Sequence, residues 1–256
     1  MNGSVAIDST SLLFASSLVL VSLYLSYSQK LGLEKETLVS VARAVIQLVI
    51  VGYILEYIFG LESPLFTTLL LLFMTFNAAY NASKRGKGIK KVMMISFGSI
   101  AIGTVLTLSI LVFSKTIAYE PYQIIPVGGM IISNSMVALG LCYRQMLSDF
   151  KSKREEVETK LSLGADILPA SVGIIRDAIK TGVIPTIDSA RTLGIVSLPG
   201  MMTGLILAGI SPIEAIKYQI MVTFMLLSTT SISSYVACYL SYKKFFNSRK
   251  QLIFLK

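Results

Sequence analysis

Histidine is absent, cysteine occurs twice, and charge is scarce. The 23 basic and 14 acidic side chains make up 14% of the 256 residues, against about 25% in an average soluble domain. Without histidine the chain cannot build imidazole metal sites or histidine proton relays. No Gly-x4-Gly-Lys-Ser/Thr run occurs, so the chain has no P-loop of its own. Cys142 and Cys238 lie far apart in sequence and read as free, buried thiols in a reducing compartment rather than as a disulfide scaffold. So few charges cannot coat the core of a soluble chain this long. A soluble enzyme, a disordered tail and a secreted disulfide scaffold are all excluded. The net charge of +9 then needs a cause other than nucleic acid.

Hydrophobic residues make up 54% of the sequence, and they are gathered into windows. Charges are missing from Ser9 to Gln29, Ser63 to Ser83, Val92 to Ser114, Pro121 to Tyr143, Thr192 to Ile213 and Tyr218 to Tyr242. A further apolar window, about 38–59, contains Arg43. Windows of about 20 residues are long enough to cross a hydrocarbon core of about 30 Å. The expectation is an all-α polytopic membrane protein with about seven spans, near 9–29, 38–59, 63–83, 92–114, 121–143, 192–213 and 218–242, forming a single transmembrane domain over 1–256. The leader before the first span has Asp8 and no Lys or Arg, unlike a signal peptide. The last window has no lysine to carry retinal. Away from the span ends there is no Asp or Glu, which argues against a proton-driven carrier.

Counting Lys and Arg in alternate loops gives the orientation. The loop after span one, the loop after span three, segment 144–191 and the tail hold two, five, eight and five, twenty of the 23. The expected N-terminus is outside and the C-terminus inside.

Segment 144–191 pairs its eight basic residues with seven acidic ones. Asp149/Lys153, Lys151/Glu155, Arg154/Glu158 and Glu156/Lys160 are opposite charges at i,i+4, which predicts an exposed helix over 144–163 ending at Gly164. Asp166 is placed to cap a second helix, about 167–180, stopped by Thr181-Gly182. Its stripe of Ile167, Leu168, Ser171, Val172, Ile175, Ala178 and Ile179 suits either a docking surface or a helix lying on the bilayer interface.

Two spans contain helix-breaking residues. One has Pro126, Gly128, Gly129 and Met130; the other has Pro199, Gly200 and Met201. Paired interruptions of this kind mark substrate routes in transporters, where freed backbone groups face a cavity; close packing through small residues is the alternative. Arg43 enters about six residues from a span end and snorkels to the interface by default. Candidate lining residues for a pathway are Gln47, Asn77, Met130, Asn134 and Met201, whose amides and thioethers bind metal weakly, as transit requires.

Three stretches resemble the FetB (YbbM) family of ABC-transporter permeases. They are Arg43-Ala-Val-Ile-Gln-Leu-Val-Ile-Val-Gly, Ile125-Pro-Val-Gly-Gly-Met-Ile-Ile-Ser-Asn-Ser-Met, and the run from Pro185 through Gly194-Ile-Val-Ser-Leu-Pro-Gly-Met-Met-Thr-Gly to Ala215-Ile-Lys-Tyr-Gln-Ile. Ser133 stands where the family has Gly. The resemblance covers about 40–245. It implies a non-enzymatic permease subunit in the plasma (cytoplasmic) membrane, a homodimer paired with a separate ATPase that binds ATP-Mg, with no cofactor in this chain and no nucleic-acid partner. Bacterial members of the family export iron; plant relatives act in aluminium tolerance, where a nucleotide sugar has been proposed as cargo. Glu158-Thr-Lys-Leu-Ser-Leu-Gly-Ala165 is similar to the E-A-A-x-x-L-G-A signature by which importer permeases meet their ATPase, with Thr159 and Lys160 in place of two alanines. The resemblance therefore implies coupling through Glu158, Leu163, Gly164, Ala165 and Arg176. A transporter of another small solute, a secondary carrier and a seven-helix receptor without an ATPase stay open as alternatives.

Overall fold

The computed structural model describes residues 9–61 and 63–253, and among them the fold is helical throughout. The chain divides into two compact units, 1–62 and 63–256.

The first unit holds α1 (Ser9–Ser28) and α2 (Glu34–Leu61). A short turn joins them, with Lys30 and Gly32 at positive φ. The Ser26 hydroxyl fixes that turn, donating to Glu34 Oε1 at 2.8 Å and accepting from the Leu33 amide at 3.2 Å. Both helices are apolar on all sides and most of their side chains are exposed, as expected of helices that lie in lipid.

The second unit contains α3 (Pro64–Arg85), α4 (Val92–Phe113), α5 (Pro121–Ser152), α6 (Arg154–Ser162), α7 (Ile167–Thr192), α8 (Gly200–Leu207) and α9 (Pro212–Ser241). α5 is the central post. It packs against α3, α4, α7 and α9 and buries Ile124, Ile131, Leu139, Tyr143 and Met146. Several hydroxyls inside this apolar bundle are satisfied by neighbouring helices or by carbonyls one turn back, the usual solution where no water is at hand. Ser135 and Thr229 lie 3.2 Å apart, Ser233 donates to Ser135 at 3.1 Å, and Ser96 meets the Tyr143 hydroxyl at 2.9 Å.

Six helices among the described residues are long and apolar enough to cross a membrane: α1, α2, α3, α4, α5 and α9. The expected span over 192–213 is not one of them. Gly194 and Gly209 take positive φ, residues 192–197 form a hydrogen-bonded turn, and what remains is α8, eight residues long and about 12 Å. The helix expected over 167–180 instead runs on as α7 through Gly182 and Pro185 to Thr192, 26 residues or about 39 Å. Its place is antiparallel to α5 and α9. Asp177 pairs with Lys153 at 2.9 Å, Gly182 sits against Ala138, Cys142 and Ser234, and Ser189 and Leu193 reach the level of Asn134 and Met130. α7 thus takes the place in the bundle assigned to 192–213. Its apolar stripe is neither a docking surface nor an interfacial face: Ser171, Ile175 and Ala178 are buried in the bundle. Arg191, counted with the basic side, lies at the other end of α7 from Lys153, which leaves the bias of the remaining basic residues in place.

The last residues fold back on the α5–α6–α7 end. A 3-10 turn, Tyr242–Phe245, stacks Phe245 on Phe150 with ring centroids 4.1 Å apart, and Phe246 meets Phe150 edge-on at 5.9 Å. The Ile253 amide donates to Phe245 O at 2.8 Å, and Lys250 pairs with Asp166 at 2.9 Å.

Candidate functional site

Two regions of the second unit hold most of the candidate residues, and α7 joins them.

The first is the turn between α6 and α7. Lys153 interrupts the exposed helix expected over 144–163, so α6 starts at Arg154. Three of the four expected pairs are in place: Arg154–Glu158 at 2.5 Å, Glu156–Lys160 at 2.5 Å and Asp149–Lys153 at 3.6 Å. Lys160 holds the Glu156 carboxyl below its ordinary range, by hydrogen bond first and by charge second. Leu163 caps α6 and is 83% exposed. Gly164 follows at φ +91° with open space around its Cα, a conformation that glycine adopts without the cost a Cβ brings. Asp166 caps α7 as expected, accepting from the Ile167 amide at 2.8 Å. Lys250 and that amide lower its pKa, the lysine contributing most. A polar cleft of about 790 Å³ runs beside the turn, between Glu158, Gly164 and Ala165 on one wall and Arg249 and Lys250 on the other. Arg176 is exposed on α7, about 18 Å along the helix from Gly164, so the structure does not gather it with the other coupling candidates.

The second region is a cavity of about 340 Å³ enclosed by α5, α7, α9 and the start of α8. Met130, Asn134, Pro199, Gly200 and Met201 all line it. Met130 and Asn134 share a face of α5 because they are four residues apart, and Asn134 Nδ2 donates to Met130 O at 2.9 Å. Pro199 is the N-cap of α8 in extended backbone, so the interruption at Pro199-Gly200 is real. The one at Pro126 is not. α5 is continuous through Pro126, Gly128 and Gly129, and these glycines serve close packing: a Cβ on Gly128 would lie 2.5 Å from Leu71 Cδ2, and one on Gly129 3.0 Å from Met74 Cε. The missing proline amide removes one bond, which a helix packed on several sides tolerates.

Two further pathway candidates are exposed. Asn77 is exposed on α3, its amide donating to Phe73 O at 2.9 Å, and it does not line the cavity. Gln47 is exposed on α2 in the first unit. In their place the cavity has Thr186, Ser189, Gln219 and Thr223. Gln219 and Thr223 sit one turn apart on α9, the same spacing that singled out Met130 and Asn134; Thr186 and Ser189 were hidden because 144–191 reads as a loop.

A family model matches residues 9–246, that of the uncharacterised protein family UPF0014. The chain belongs to this family. Among UPF0014 relatives, the Escherichia coli "Probable iron export permease protein FetB" is 53% identical over 96% of this chain and 95% of that protein. The rice "UPF0014 membrane protein STAR2" is 38% identical over 93% of this chain and 84% of its own length. The Arabidopsis thaliana "Protein ALUMINUM SENSITIVE 3" is 37% identical over 91% and 86%. No solved structure matches. With six membrane-length helices and relatives of these names, this UPF0014 chain is a multi-pass membrane protein.

Proposed function

We propose that this chain is the membrane-spanning permease subunit of an ABC transporter that exports iron across the cytoplasmic membrane. It works as a homodimer with two copies of a separate ATPase, which supplies ATP-Mg. The observation that carries this reading is α7. One end of this helix is the exposed turn of Leu163, Gly164 and Ala165; the other lines the cavity beside the interrupted segment at Pro199-Gly200. The basic-residue bias puts the turn on the cytoplasmic side. An ATPase that pulls the turn on closing would displace a helix packed along its length, and a packed helix passes displacement on as a unit. Leu163 provides the apolar contact, Glu158 and Arg154 the flanking charge, and Gly164 the bend. Arg176 flanks this surface further along α7. Residues 193–199, free of helical hydrogen bonding at the far end, give the cavity a wall that can move.

Iron as the cargo rests on the name of the E. coli relative and on the thioethers and amides of the cavity. A receptor without an ATPase has no use for a docking turn joined to a cavity. Replacement of Gly164 by Val tests the coupling. A β-branched residue at φ +91° is strained, so ATP-driven iron export should fall about tenfold, the factor that corresponds to about 1.4 kcal/mol, while membrane insertion is kept. Export at the unaltered level would refute it, as would purification of the chain without any bound P-loop ATPase.

A further inference from the structure

Two guanidinium groups meet at Gly140 of α5. The Arg85 side chain, at the end of α3, lies so close across this glycine that a Cβ there would fall 2.5 Å from Arg85 Cδ and 2.7 Å from its Nη1. Arg144 reaches back to the same residue, its Nε donating to Gly140 O at 3.4 Å. Both arginines are exposed, and among the described residues neither has a carboxylate partner. None is at hand in the sequence either. Asp and Glu are absent from Ser63 to Tyr119 and from Pro121 to Ser148, and Asp149 is already held by Gln145 at 2.9 Å and by Lys153 at 3.6 Å. Lys84, Lys87, Lys90 and Lys91, all exposed, add four more cations around the α3–α4 turn. The α6–α7 turn is built otherwise: Arg154, Lys160 and Lys250 each face a carboxylate there.

We propose that Arg85 and Arg144, held together over Gly140, bind the phosphate of an anionic lipid headgroup in the inner leaflet. Like charges side by side repel, and guanidinium forks match a phosphate, which each can hold through two parallel hydrogen bonds. The level of the site favours a lipid over a protein partner. Gly140 is 12 residues before the end of α5 at Ser152, about 18 Å along the helix, so it lies nearer the apolar part of the bundle than the α6–α7 turn does. Beneath Arg85, α3 exposes Phe73, Phe76 and Tyr80, and Lys84 Nζ lies 4.3 Å from the Tyr80 ring centroid. An exposed ring with a cation above it marks the boundary between hydrocarbon and headgroups, where basic side chains attract anionic lipid. Gly140 belongs to the site because its missing side chain leaves the room in which Arg85 lies.

Native mass spectrometry of the full chain in detergent tests this, with three probes: phosphatidylglycerol, phosphatidylcholine of the same acyl chains, and glycerol 3-phosphate. The choline headgroup carries a cation that the two arginines repel, so phosphatidylglycerol should bind about fivefold tighter. Glycerol 3-phosphate, which has no chain to lie along α3, should bind far more weakly than either lipid. Arg85→Gln and Arg144→Gln should each bring the preference to about twofold or less. Gly140→Ala keeps every charge and displaces Arg85, and it should do the same. Lys217→Gln, at the opposite end of the bundle, should keep the full preference, and unchanged phosphatidylcholine binding across the set shows that each variant is folded. Equal affinity of the unaltered chain for the two lipids would overturn the site; with Arg85→Gln also losing a copurifying ATPase, it would give these arginines to a protein partner. Full preference in Arg85→Gln or Gly140→Ala would reduce it to a diffuse effect of the surrounding lysines and overturn it too. Glycerol 3-phosphate binding as tightly as phosphatidylglycerol would overturn lipid as the occupant.

Discussion

Gly182 is a position at which the bundle has no room for a side chain. A Cβ there would overlap Cys142 Sγ and would lie 3.0 Å from both the Ala138 carbonyl oxygen and Ser234 Oγ. The carbonyl belongs to the backbone of α5 and cannot turn aside, so Gly182→Ala has to push α7 away from α5 and α9. Overpacking of this kind costs about 1–3 kcal/mol, with the upper end apt when backbone is in the way. Alanine returns about 1 kcal/mol of helix propensity, which leaves a net loss of about 2 kcal/mol. Gly173, on the same helix, is the internal control, since a Cβ there meets nothing within 4 Å. Gly173→Ala should therefore stabilise by about 1 kcal/mol. For a chain of this size a 2 kcal/mol loss lowers Tm by about 4–8 °C. Tryptophan is absent, so a dye that fluoresces on reaction with thiols is the better reporter; Cys142 and Cys238 are both buried and free. Adding Cys142→Ala should recover part of the loss, by about 0.5 kcal/mol or more beyond additivity, with Cys238 still reporting. Gly182→Ala melting at or above the unaltered protein, level with Gly173→Ala, would refute the reasoning and show that α7 is not clamped at this point.

Phe245→Ala should destabilise by about 3–5 kcal/mol, the cost of emptying a buried aromatic site, and should free the tail for proteolysis at Lys250; a chain as stable and as resistant as before would count against the ring stack. The Asp166–Lys250 contact has a definite pH sense. The Asp166 carboxyl is lowered in the folded chain, so the contact contributes above the unfolded carboxylate value of about 3.9 and is lost as pH falls through the lowered folded value. Protection factors for amide exchange at 247–252, taken against the intrinsic rate at each pH, should therefore fall on acidification in the unaltered chain, while Asp166→Asn should show the lower protection already at neutral pH; equal protection for the two at neutral pH would remove the contact from the account.

Composition made the membrane bundle legible, and charge pairing predicted the helix that became α6 along with the cap at Asp166. What misled was reliance on uncharged windows. α7 carries Arg176, Asp177, Lys180, Asp188 and Arg191, so no stretch of it is both long and uncharged. Arg176, Asp177 and Lys180 fall near its middle, where Asp177 finds Lys153, and Asp188 finds Arg191 at 3.0 Å near its C-terminal end. The apolar window that follows has the right hydropathy and the wrong backbone, since Gly194, Pro199 and Gly209 turn it away from a single helix. Pro126 and Pro199 looked alike in sequence, and only their surroundings separate them: the first lies in a helix held on several sides, the second at the head of a short one. Asn134 and Met130, four residues apart, share a wall of one cavity, as their spacing indicates. Asn77 is an exposed amide that bonds its own helix, and Gln47 is exposed on α2 of the first unit.

The stacked rings at Phe150 and Phe245 have a practical bearing on how the protein is handled. They bring the chain's end to the α6–α7 turn, so that Arg249 and Lys250 form one wall of the cleft beside Gly164. A fluorescent protein or affinity tag joined just after Ile253 would begin a few residues from the surface where the ATPase is proposed to sit. A failure of such a fusion to hold its partner would reflect crowding by the tag, and pairing experiments should be run on an untagged end.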